Sequence, residues 1–240
     1  MNALIEAAAL GTFMVSASVF TVLLEHPASP FRAAIPSDDA RRLLIGIAMG
    51  LTAIGLIYSP WGRRSGAHMN PAVTLAMWRL KKIPGPQAAG YVAAQFVGGV
   101  AGMLVARLLL GSALEHPAVN FVATVPGSAG SGAAFAAELA ISSILMLAVL
   151  AASNTPRLER FAGVVAGTLV ATWIFLEAPL SGMSMNPART FASAAVGNVW
   201  ESWWIYFTAP PTGMVAAASL YSALRAGHVR CLWHACEASR

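Results

Sequence analysis

Two short stretches hold the residues best suited to chemistry. Residues 65–76 read SGAHMNPAVTLA and residues 181–192 read SGMSMNPARTFA. Each contains an asparagine followed by proline and alanine: Asn70, Pro71, Ala72 and Asn186, Pro187, Ala188. Asparagine suits a helix N-cap and proline the first helical position, so a helix should start at each triplet. A helix N-terminus carries roughly half a positive charge, and each asparagine adds a neutral amide donor. That combination turns the oxygen of a neutral molecule toward it and repels a cation. Arg189 stands in the second copy where Val73 stands in the first, adding one fixed positive charge. His68 precedes the first triplet, and we read it as neutral, because a proton relay would leak the protons that this field excludes. Two acids, Glu6 and Glu138, lie in otherwise apolar stretches. No nucleophile–base pair or metal-ligand set accompanies them in the apolar segments, so neither an enzyme nor a cofactor protein is expected.

The surrounding chain says where these groups must sit. Its 240 residues are 57% hydrophobic and 10% charged, against about 25% charged in a soluble domain. Uncharged runs cover residues 7–24, 43–62, 83–106, 139–156, 161–176 and 202–224. A bilayer core takes roughly 20 apolar residues as a helix, so we expect six transmembrane helices and an all-α membrane protein. The fifth run is short, and Glu177 at its edge can sit at an interface. The first run is not expected to be a cleaved signal, since no lysine or arginine precedes it. Ten lysines and arginines fall on one predicted side and four on the other. By the positive-inside rule both termini are cytoplasmic, with the chain in a plasma or inner membrane. The formal charge of +5 is then a topology signal, and no basic stretch interleaved with aromatics suggests nucleic acid. Cys231 and Cys236 sit near His228 and His234 in the tail. Their spacing fits no standard zinc pattern, and we read them as free thiols.

The order of parts repeats. Glu6, the first triplet and Gln95 recur as Glu138, the second triplet and Pro210, in halves of about 1–115 and 130–226 within a domain of 1–226; residues 227–240 form a tail. Each half has three spans, an odd number, so the second enters the membrane from the opposite side. After each triplet comes an apolar stretch of about ten residues, or ~15 Å of helix, half of a ~30 Å core. Neither stretch can cross alone. Inverted symmetry should aim both N-termini at one point near the midplane, as two re-entrant half-helices.

SGAHMNPAVT and SGMSMNPART resemble the signatures of the aquaporin family, the major intrinsic proteins, and the resemblance extends from Glu6 to Gly213. It implies a right-handed six-helix bundle with two half-helices, a passive pore in each subunit and usually a homotetramer. It also implies that Glu6 and Glu138 support the re-entrant loops from behind. The outer constriction of the family has four corners. Counted without gaps from the asparagines, they fall on Gly50, Ile174, Met183 and Arg189, and a slip of one residue puts Met49 at the first. The usual water-selective pattern has an aromatic and a histidine at the first two corners, both missing here, which suits a small solute such as glycerol as well as water. Thr190 and Ala194 depart from the glycerol-facilitator pattern, while Tyr206 and Phe207 match the aromatic pair of water channels. A strictly water-selective channel is the alternative. A coupled transporter also uses inverted repeats and broken helices, but it needs an intramembrane ionisable group that changes partner, and both buried acids have a structural role here.

Overall fold

The computed structural model describes residues 1–225 and Val229. The tail thiols Cys231 and Cys236, with His228 and His234, lie outside the described residues. Twelve α-helical segments follow one another: α1 (Asn2–Glu25), α2 (Pro30–Ala34), α3 (Asp38–Tyr58), α4 (Pro60–Ser65), α5 (Pro71–Arg79) and α6 (Gly85–Leu110) in the first half, then α7 (Ser112–Glu115), α8 (Gly130–Ser153), α9 (Ala162–Leu176), α10 (Ala178–Ser181), α11 (Pro187–Gly197) and α12 (Trp204–Leu224). The described residues contain no strand.

Among the described residues, five helices are long and apolar enough to cross a membrane: α1, α3, α6, α8, and α9 with the turn before it. The sixth, α12, has 21 residues and carries Pro210 and Pro211 inside it. At 1.5 Å per residue it is also long enough to span.

Helix boundaries follow caps rather than the edges of uncharged runs. The second run starts at residue 43, yet α3 starts at Asp38 because Ser37 caps it by accepting from the Ala40 N–H. Arg41 is thereby drawn inside. It is only 2% exposed, pairs with Glu25 and Asp38, and donates to the carbonyls of Ile35 and Pro36. The fourth run starts at residue 139, but α8 starts at Gly130. Glu138 is therefore two turns inside a helix, not at its start.

The halves pack by matching pairs. α1 lies along α6, α8 along α12, and α3 along α9. Small residues permit the close approach, since in lipid the association relies on backbone proximity and van der Waals contact. A methyl group on Gly98 would collide with the Ala7 carbonyl, and one on Gly102 with Gly11. Gly50 and Gly167 meet the same way, each occupying the space that a side chain on the other would need. The half-helices cross between halves: α5 packs on α12 and α11 on α6. Each is gripped by the other repeat, which ties the two into one body.

Gly98 and Gly90 separate packing from helix propensity on one helix. Gly98→Ala should lower stability by about 1–3 kcal/mol through overpacking. Gly90→Ala, where nothing lies within 4 Å, should be neutral or stabilising. Thermal unfolding of the purified variants in detergent measures both, and equal midpoints would contradict the close α1–α6 contact.

Candidate functional site

Each re-entrant loop is built on a buried carboxylate. Glu6 is fully buried, and its Oε1 accepts from the Ser65 hydroxyl at 2.7 Å and the His68 N–H at 3.0 Å. Its Oε2 accepts from the Met69 N–H at 2.6 Å and the Gln95 amide at 2.9 Å. Glu138, also fully buried, repeats the pattern with the Ser181 hydroxyl at 2.8 Å, the Ser184 N–H at 2.6 Å and the Met185 N–H at 2.8 Å. An unpaired buried carboxylate would be expensive, and so would unpaired loop N–H groups. Each satisfies the other. Gln95 has no counterpart in the second half, where Pro210 stands, so Glu138 holds its loop with fewer donors.

These bonds sustain a backbone that the chain would otherwise avoid. Gly66, Ala67 and Met69 have positive φ of 93°, 42° and 49°; Gly182, Met183 and Met185 have 76°, 47° and 52°. A left-handed non-glycine residue costs on the order of 1 kcal/mol or more. The same places in both loops carry it. Two tyrosines complete the brace: Tyr91 donates to the Ser65 carbonyl at 2.7 Å and Tyr206 to the Ser181 carbonyl at 2.6 Å. The sequence comparison of the halves missed Tyr91. The spacing was the available signal, since it lies 26 residues after Ser65 and Tyr206 lies 25 after Ser181.

The loops end at the two asparagines, which cap α5 and α11. Asn70 Oδ1 accepts from the Ala72 N–H, and Asn186 Oδ1 from the Ala188 and Arg189 N–H groups. Their amides do not simply point at open space. Asn70 Nδ2 donates to the Met185 carbonyl at 2.7 Å, and Asn186 Nδ2 to the Met69 carbonyl at 2.7 Å. Each triplet is thus bound to the backbone of the opposite loop. An amide nitrogen has two hydrogens, so one remains on each for another acceptor.

A cavity of about 500 Å³ runs past this junction. Glu25, Asp38 and Arg42 line one mouth; Met49, Ile174, Met183 and Arg189 share its wall; His68, Asn70 and Asn186 line it as well. Gly50 does not. The gap-free count assigns a corner to Gly50, but in the structure it faces Gly167 across the α3–α9 contact. Met49, one residue earlier, takes the cavity side. Among the described residues, Arg189 Nη1 is buried without a hydrogen-bond partner. His68 Nδ1 lies 3.1 Å from the Thr74 hydroxyl. In the second loop the Ser184 hydroxyl takes that place against Thr190, whose hydroxyl also meets Thr124. Phe207 packs on Phe96, Phe191 and Trp203 and is not among the lining residues.

Glu177 directly follows the fifth span, at the end of α9, and is buried within the protein. It is 5% exposed, caps the C-terminal end of α9, and neither carboxylate oxygen has a hydrogen-bond partner. Burial pushes its carboxyl up to about 8.

Residues 3–221 match the major intrinsic protein family. The chain is 38% identical over 187 residues to the probable aquaporin AqpM of Archaeoglobus fulgidus, covering 75% of each chain. It is 34% identical over 219 residues to aquaporin NIP2-3 of Zea mays, covering 90% of this chain and 70% of that one. The X-ray structure of the aquaglyceroporin from Plasmodium falciparum has the same fold, with a TM-score of 0.71 at 20% identity over 93% of this chain and 96% of that chain.

Two variants test the Glu138 carboxylate. Glu138→Gln should fold and lose part of its water flux, while Glu138→Leu strands three donors at about 1–3 kcal/mol each and should misfold. Normal yield and normal flux for the leucine variant would contradict the anchoring. For Glu177 the sign is opposite to that of a salt-bridged acid. A value raised from 4.5 to about 8 contributes stability that is full below about 4.5 and lost as pH rises through about 8. Glu177→Gln should flatten the fall in detergent-unfolding midpoint between those limits, and an unchanged pH profile would contradict the buried, unpaired state.

Proposed function

The chain belongs to the major intrinsic protein family, integral multi-pass membrane channels that pass water and small solutes without an energy source, and we propose that this one passes water together with small uncharged solutes such as glycerol. Its selective constriction is formed by Met49, Ile174, Met183 and Arg189. One observation carries this reading: Arg189 stands on a wall whose other three members, Met49, Ile174 and Met183, are aliphatic or thioether side chains. Such a wall binds a solute with one polar and one apolar edge, which describes a polyol. The flexible thioethers adapt to its shape. Tyr206 does not argue for water alone, because its hydroxyl is spent on the Ser181 carbonyl.

Ions and protons are excluded at two levels in this reading. The N-termini of α5 and α11 and the two asparagine amides make the junction positive, and Arg189 adds a full charge. Water crosses by turning its oxygen toward them. The pore domain is residues 1–226, with 227–240 as a tail. Both termini are cytoplasmic in the plasma or inner membrane, which makes the mouth lined by Glu25, Asp38 and Arg42 the outer one; the arginine and lysine distribution supports this. Subunits assemble as a homotetramer, an expectation carried over from the family.

Reconstituted vesicles test the proposal by osmotic water flux and glycerol uptake. Glycerol should enter faster than into empty vesicles. Arg189→Val should admit larger neutral solutes and leak some cations. Strong water flux with glycerol entry at the empty-vesicle level would leave a water-only channel, and an unchanged size cut-off and ion leak in Arg189→Val would remove Arg189 from the constriction.

A further inference from the structure

The chain has ten methionines, and their placement is uneven. Met49, Met69, Met146, Met183 and Met185 line the cavity. Met14, Met77, Met103 and Met214 are buried at 0–1% exposure and line none of it. The lining five are hardly more exposed, at 2–9%. The small difference in exposure follows access from the lumen. Met49 and Met146 reach the lumen from α3 and α8, where the backbone is closed by intrahelical bonds, so their side chains form the wall. The Met49 sulfur lies 3.9 Å from the Ser16 hydroxyl.

We infer that the lumen methionines are a modification site for small hydroperoxides, with Met49 and Met183 as the positions where oxidation throttles flow. This rests on the reading of the lumen as a path for small uncharged solutes. Hydrogen peroxide is neutral and one oxygen larger than water, so the field that rejects cations does not reject it. A thioether sulfur attacks one peroxide oxygen. The sulfur–oxygen bond forms, the oxygen–oxygen bond breaks, and the second oxygen leaves as water after the protons transfer to it. The sulfur is oxidised by two electrons and the peroxide reduced by two. A sulfoxide is polar and a strong acceptor, unlike the apolar side chain that it replaces. The product adds an oxygen to a lumen whose wall includes Arg189, a fixed donor. The oxidised side chain narrows the path and competes with solute for that donor. Sulfoxide reductases reverse the change, so the site responds to oxidant without permanent damage.

The test uses the full-length protein in vesicles, dosed with hydrogen peroxide, quenched, digested and mapped by mass spectrometry at every methionine. Water flux is measured before dosing, after it, and after treatment with both methionine sulfoxide reductases. The lining methionines should gain oxygen roughly tenfold faster than Met14, Met77, Met103 and Met214, as lumen access dictates. Flux should fall and return on reduction. A Met49→Leu, Met183→Leu channel should lose a smaller fraction of its own starting flux. Lining residues that oxidise no faster than the four core residues would overturn the inference. So would an equal fractional loss in the double variant. If that variant does not fold, the map on the unmodified chain decides. Selective oxidation in a protein without water flux would overturn the channel reading and leave the oxidation site standing.

Discussion

Unpaired backbone N–H groups cannot be left at membrane depth, and this constraint shapes the molecule. Two loops enter the bundle without helical or sheet partners. Their amides are satisfied by Glu6 and Glu138, which in turn are tolerable only because those amides meet them. A carboxylate in lipid and an irregular backbone in lipid would each be unstable alone. Together they form a rigid support at the place where the chain must be open. The left-handed residues at equivalent points of both loops follow from this, because the carboxylates hold a backbone path that alanine and methionine do not choose.

The support leads directly to the pore. Once each loop is fixed, proline and asparagine start a half-helix from its end, and the half-helix packs on the third long helix of the other repeat. The two triplets then bind each other's backbone. Neither repeat holds a complete site. The junction exists only when both are folded against each other, which is why the glycine contacts between long helices matter to a site that they do not touch.

Much of this was legible in the letters. The paired motifs, the two acids and the odd number of spans per half imply the inverted architecture, because each has a physical requirement that the other half must meet. What was not legible depended on three-dimensional packing. An uncharged run marks what lipid tolerates and not where a helix begins, so α3 and α8 start earlier than their runs. Ser37 and the buried Arg41 network explain the first case. Counting from Asn70 is good to about one residue, and one residue turns a helix by about 100°. That rotation sends Gly50 to the Gly167 contact and Met49 to the lumen. The burial of Glu177 was not legible either, because a residue at the edge of an apolar run can be exposed or packed.

If the two triplets hold each other, their energies cannot be independent. A double-mutant cycle on Asn70→Ala and Asn186→Ala, read by unfolding free energy in detergent, measures that directly. The reciprocal bonds predict non-additivity of about 0.5–3 kcal/mol, with the second substitution costing less than the first. Strict additivity would contradict the account, because it would mean that each re-entrant loop stands without the other.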